Sequence, residues 1–201
     1  MSFMHRESHA SLRAYELLRT GTVGGPAVVF CRYHKRRKTR IRAHIYGRNG
    51  KKCKTILGYD SITLYLYCSG QLMPCGKEKY VKVKTPTSPY NIKVLTNKVL
   101  RNELFGFMQV DIEVPETLYK KFSEMAPLFV VDEITKVPEH MKEYQKLTGR
   151  KGNKNSRKLL GVMKAKKILL YTPLLKWYIE HGLEVTAYHE LLLYQPGRPF
   201  D

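Results

Sequence analysis

Acidic residues are scarce in this chain. Among 201 residues there are 17 aspartates and glutamates against 36 lysines and arginines. No two cysteines lie two residues apart. Cys31, Cys53, Cys68 and Cys75 are spread singly, a spacing that matches neither a zinc site nor a disulfide framework. Reduced, structural thiols in an intracellular protein are the expectation. No run reaches the roughly 18 uninterrupted apolar residues of a spanning helix, so no membrane partner is expected. The first twenty residues have no apolar centre and no small-residue cleavage site, unlike a signal peptide. A nucleotide-binding glycine loop, G-x-S-x-G and H-E-x-x-H are all missing. His34 and His44 lie among arginines, where a metal cation would be repelled.

What is present is charge and enough apolar matter to fold. The net charge is +19 and the isoelectric point near 9.8. Such a balance calls for an anionic partner, nucleic acid first. A hydrophobic fraction of 43% and an aromatic fraction of 11% argue for a packed core.

Residues 7 to 20 predict a short amphipathic helix with Leu12, Tyr15, Leu17 and Leu18 on its apolar side. The glycines and proline of "GTVGGP" stop it, and "AVVFCRY" reads as a strand. From Arg32 to Lys54 there are eleven basic residues and no acid: Arg32, Lys35, Arg36, Arg37, Lys38, Arg40, Arg42, Arg48, Lys51, Lys52 and Lys54. One reading is a solvated hairpin with turns at "KRRK" and "GRNGKK". The other is a phosphate-binding surface, which also accounts for the total charge. Ile56 and Leu57 open a strand-like stretch that meets Asp60. "MPCGKE" reads as a turn and "TPTSPYN" as a loop. "LFGFMQVDIEVPE" is a strand ending at Pro115, "PETLYKKFSEM" a short helix and "APLFVVDEI" another strand. "TGRKGNKNSRK" is a basic loop that offers Arg150, Lys151, Lys154, Arg157 and Lys158 as a second phosphate contact. Near the C-terminus, Thr172 is the expected N-cap of a helix with Pro173 in its first turn. Gly182 closes that helix in the left-handed conformation, and a strand runs from about Leu183 to Tyr194. Strands and helices intermix without a repeat or regular βαβ alternation, which predicts an α+β fold.

Three acidic features are chemical candidates: Asp60, the pair Asp111 and Glu113, and the pair Asp132 and Glu133. Alternation along a strand puts Asp111 and Glu113 on one face, with Val110, Ile112 and Val114 on the other. D-x-E is the form of a metal-dependent exonuclease motif and also of any half-exposed strand. A polyanion held by lysine and arginine, with a hard divalent metal on aspartate, is the setting of phosphoryl transfer.

"DSITLYLY", residues 60 to 67, resembles motif A of family B DNA polymerases, usually Asp-x-x-Ser-Leu-Tyr-Pro. "TVGGPAVVFCRYHKRRKTRIRAHIYG", "GQLMPCGKE", "FGFMQVDIEVPE", "FSEMAPLFVVDEI" and "LLGVMKAKKILLYTPLLKWYIEHGLEVT" follow the order of segments in the protein-primed branch. This resemblance covers nearly the whole chain. It implies a partial polymerase palm: a mixed, mainly antiparallel sheet with a few packed helices. Residues 1–55 would form an N-terminal helix and basic hairpin preceding the palm. Residues 56–201 would form the palm piece and a region that contacts a terminal protein. Asp60 would end a palm strand and hold Mg²⁺. Ser61, Ile62, Thr63 and Leu64 would turn under an incoming deoxynucleoside triphosphate, and Tyr65 would lie beneath its sugar as a steric gate. Primer-template DNA would be the polymer partner. Thr63 and Leu66 depart from the usual motif. No Asn-Ser-Leu-Tyr-Gly or Asp-Thr-Asp follows residue 68, so the resemblance implies a piece of a polymerase that is inactive alone. A non-enzymatic basic nucleic-acid-binding module is the alternative.

Overall fold

The computed structural model describes residues 9–27, 33–41, 47–133, 139–149 and 157–200. The fold is α+β, with mainly antiparallel sheets. The chain divides into two compact units: Met1–Pro26 with Leu72–Pro199, and Ala27–Gln71 with Phe200–Asp201. The boundary expected between residues 55 and 56 falls inside the second unit. The expected strand at 27–33 lies almost wholly outside the described residues.

The first unit is built on six strands: β1 (Met73–Lys82), β2 (Gly106–Glu113), β3 (Leu128–Glu133), β4 (Arg157–Val162), β5 (Lys164–Tyr171) and β6 (Glu184–Gly197). Four form an antiparallel sheet in the order β1-β6-β2-β5, so β1 and β5 are its outer strands. β3 and β4 form a separate antiparallel pair. Helices α1 (His9–Gly21), α3 (Pro89–Leu100), α4 (Glu139–Thr148) and α5 (Thr172–Glu180) belong to the same unit.

Strand alternation sorts the core into two faces. On one, Met108, Val110, Ile112, Ile168, Leu170, Tyr188 and Leu191 pack with Val99 of α3 and with Leu175 and Tyr178 of α5. On the other, Leu169 and Leu192 take Ala14 and Leu17 of α1. A Cβ on Gly21 would come within 2.5 Å of Leu169 Cβ, so the last turn of α1 sits directly on β5. The apolar side of α1 therefore differs from the sequence reading. Ala14, Leu17 and Leu18 pack, whereas Leu12 and Tyr15 are exposed.

The end of α5 is as expected. Gly182 has φ +91°. Its N–H donates to the Ile179 carbonyl, and Leu183 N–H donates to the Tyr178 carbonyl, both at 3.0 Å. That is a Schellman closure. Its start differs: Tyr171 is the N-cap, without a side-chain cap. The Thr172 hydroxyl instead accepts from Gly106 N–H at 3.2 Å, tying α5 to β2.

Other expectations need correction. "MPCGKE" is the first half of β1, with an irregularity between Cys75 and Lys79 where Gly76 takes φ +76°. Glycine there lets a strand bulge where a turn was read. "PETLYKKFSEM" yields one 3-10 turn, Glu116–Leu118, since so short a segment cannot sustain a helix without more packing. "TPTSPYN" is a loop only up to Ser88, after which Pro89 opens α3. α4 was not anticipated either.

In the second unit, residues 53–61 carry no regular structure, so Asp60 does not end a strand. Ile56 and Leu57 are exposed, and with no apolar face buried nothing holds a strand there. A six-residue helix, α2 (Leu64–Ser69), follows a left-handed Thr63 at φ 57°.

Candidate nucleic-acid interface

The described part of the basic stretch, residues 33–41 and 47–54, folds as a small hairpin. Its turns fall where the sequence put them, at residues 36–38 and at Gly47–Asn49. Arg40 and Lys52 form an antiparallel bridge. Ile41 N–H donates to Lys51 O and Cys53 N–H to Thr39 O, each at 2.8 Å. Arg37 N–H donates to Cys53 O at 2.6 Å. Two arginines hold the hairpin with their own side chains: Arg36 Nε donates to Lys54 O at 3.0 Å, and Arg40 Nη1 to Gly50 O at 2.8 Å. Cys53 is buried beneath.

The cations stay outside. Lys35, Arg36, Arg37, Lys38, Arg40, Arg48, Lys51, Lys52 and Lys54 are all exposed. Arg32 and Arg42 lie outside the described residues, as do Arg150, Lys151 and Lys154 of the second basic segment. Arg157 and Lys158 are exposed on β4, but each faces a carboxylate residue across the ladder, Glu133 and Asp132 respectively. Opposed charges of that kind stabilise a strand pair and leave less positive field for phosphate. The two basic segments are thus unequal.

Asp60, Ser61, Ile62, Thr63, Leu64 and Tyr65 are all exposed. Asp60 is the sole acid between Glu16 and Glu78 in the sequence. Among the described residues, no group of three or more histidine, cysteine, aspartate or glutamate side chains is placed to hold a metal ion. One carboxylate suffices for Mg²⁺ only when substrate phosphates and water complete its shell.

Asp111 and Glu113 do share a face of β2, as read, opposite the buried Val110, Ile112 and Val114. Both are engaged. Asp111 Oδ1 accepts from the backbone N–H of Lys167 at 2.7 Å and lies 2.8 Å from His189 Nε2. Glu113 pairs with Lys164 at 3.0 Å. Lys167 has φ +50° at an irregularity where residues 110 and 112 of β2 face 168 and 165 of β5. Asp111 therefore stitches a bulge in β5 to β2.

A second polar knot lies beside α1. Arg13 contacts both carboxylate oxygens of Glu190, at 3.0 and 2.9 Å, and Tyr80 Oη donates to Glu190 at 3.0 Å. The Arg13 hydrogen bond holds the Glu190 carboxyl below the usual carboxylate range, against the opposing effect of burial. Sequence reading missed both His189 and this knot. Their partners are 78 and 177 residues away, and no local pattern links such positions.

No protein-family model, curated protein or solved structure matches this chain. No helix among the described residues is long and apolar enough to cross a membrane.

Proposed function

We propose that this chain is the DNA-binding part of a family B DNA polymerase of the protein-primed type, with the basic hairpin as its phosphate contact. The observation that carries the reading is the hairpin itself. Nine described cationic side chains are exposed on it, with no acid between residues 17 and 59. Duplex DNA condenses counterions, and each lysine or arginine that neutralises a phosphate releases them. On this reading Asp60 would hold Mg²⁺ in an enzyme that supplies a second carboxylate, and Tyr65 would bound the sugar of the incoming deoxynucleoside triphosphate. A terminal protein would be the further partner. A solitary carboxylate does not make a two-metal site, so the chain alone binds DNA without extending a primer. That same solitary carboxylate favours the second reading, a non-enzymatic nucleic-acid-binding module.

Binding of a mixed-sequence duplex, titrated at several salt concentrations, tests the reading. The slope of log K against log salt is expected at about −0.9 per phosphate contact. Replacing Lys38, Lys51 and Lys54 by alanine flattens it by up to roughly 3. These three are chosen because Arg36 and Arg40 also hold the hairpin together. Equal slopes for parent and variant would remove the hairpin from the interface. Primer extension that is abolished by Asp60→Asn would overturn the expected inactivity.

A further inference from the structure

The second unit carries, besides its cations, a run of side chains that a folded surface ordinarily hides. Tyr59, Tyr65 and Tyr67 are 89, 91 and 67% exposed, and Ile62, Leu64 and Leu66 are exposed with them. Exposed apolar residues are ordinarily scattered singly, whereas here six fall within nine residues of sequence, and concentrations of exposed apolar surface mark binding sites.

We propose that these tyrosines each stack on a base of a single-stranded nucleic acid whose phosphates lie on the basic hairpin; Tyr65 and Tyr67, two residues apart on α2, face different sides of it and take separate bases. The inference rests on the reading that the basic hairpin binds nucleic acid, and it names the form of the polymer.

Charge decides the class of occupant. Across residues 27–71 there are eleven lysines and arginines and one acid, Asp60, which suits a polyanion rather than a neutral or basic polypeptide. The rings then decide between strands. In a duplex each base has both faces covered by its neighbours, so an exposed tyrosine finds nothing to stack on. A single strand offers a free π-face at every base, and tyrosine accepts any of the four. Its backbone still carries the phosphates the hairpin requires. Chain reach makes the two features one site. Tyr59 follows Lys54 by five residues, which spans at most about 18 Å. Single-strand modules cover about 4–16 nucleotides, enough to bridge that separation. Tyr59 and Tyr67 are the informative positions, because the polymerase resemblance gives them no part in triphosphate binding.

The test compares a 20-nucleotide oligo(dT) with a 20-base-pair duplex by fluorescence anisotropy, using the full chain. The parent is expected to bind oligo(dT) more tightly than the duplex. Tyr59→Ala and Tyr67→Ala each weaken oligo(dT) binding about fivefold or more. Tyr59→Phe and Tyr67→Phe, which keep the ring, stay within about twofold of the parent. Tyr90→Ala, an exposed tyrosine of the other unit, changes nothing. Duplex affinity reports whether each variant is folded, since it depends on the hairpin and not on the rings. If the duplex binds as well as oligo(dT), or the alanine variants bind oligo(dT) like the parent, the stacking is refuted while the phosphate interface stands. In that case another polypeptide covers the tyrosines. If neither polymer binds, both readings fall.

Discussion

The two units are held by different forces. In the first, Met108, Val110, Tyr188 and Leu192 are fully buried, and helices cover both faces of the sheet. Among the described residues of the second, Cys53 is the one buried hydrophobic side chain, while its tyrosines, isoleucines and leucines face outward. Its shape comes from backbone hydrogen bonds and two arginines that reach back to carbonyls. Charge divides the same way. Of 36 basic and 17 acidic residues, 11 and one lie in 27–71, leaving 25 and 16 for the rest. The larger part keeps a positive excess of its own and still buries its apolar surface. Net charge bears on solubility and on what binds rather than on fold; the cationic segment is the one that keeps its apolar side chains exposed beside that charge.

The sharpest way to break this contrast is in the core. Leu175→Ala, at a fully buried site on α5, is expected to cost about 2–5 kcal/mol, read from denaturant unfolding. A loss below about 1 kcal/mol would mean that the first unit is not the dense body described.

Asp111→Ala comes next. It removes the acceptor of the exposed Lys167 N–H, which water can replace, and the partner of the part-buried His189, and losing a part-buried hydrogen bond costs about 1 kcal/mol. Asp111→Asn keeps an acceptor oxygen and should recover most of the loss.

Arg13→Ala probes the docking of α1. The Arg13–Glu190 pair is partly exposed on the arginine side, so its worth is about 1 kcal/mol. Glu190 has a depressed folded pKa, hence its contribution is full above the ordinary glutamate range and disappears as pH falls through the folded value. The parent should therefore lose stability on acidification below about pH 4, and Arg13→Ala should lose less over that window. Identical acid profiles would place the linkage elsewhere.

The smallest effect is expected from Cys53→Ala. With little apolar packing around it, the change should stay within about 1 kcal/mol, and DNA affinity should be unaltered. A larger loss would give the second unit a core of its own.

What could be read from sequence was whatever is decided locally. Pro173, Gly182 and the apolar run between them specify a helix within a dozen residues. The hairpin turns at 36–38 and Gly47–Asn49 likewise follow from their own residues. α3 escaped notice because "PYNIKVLTNKVL" mixes β-branched and polar residues. Burial of Val99, with Ile92 and Leu95 packed alongside, holds it helical, which is tertiary information. The Asp60 stretch misled in the opposite sense: an apolar run normally implies a buried strand, and here it is exposed coil and a short helix. The D-x-E face is legible from alternation alone. Its bonds to Lys167 and His189 depend on strand order and could not be seen in advance.

The bulge pinned by Asp111 bears on how the protein behaves at high concentration. β5 is an outer strand of the sheet, and an unpaired strand edge is a template on which other copies can align and aggregate. Here Lys166 and Lys167 are exposed, and Lys167 turns through a left-handed backbone angle at the irregularity. An incoming copy would meet a broken hydrogen-bond ladder and like charges together. The side chain that ties down the kink therefore also guards solubility, and loosening it would show as turbidity in concentrated samples as well as in melting curves.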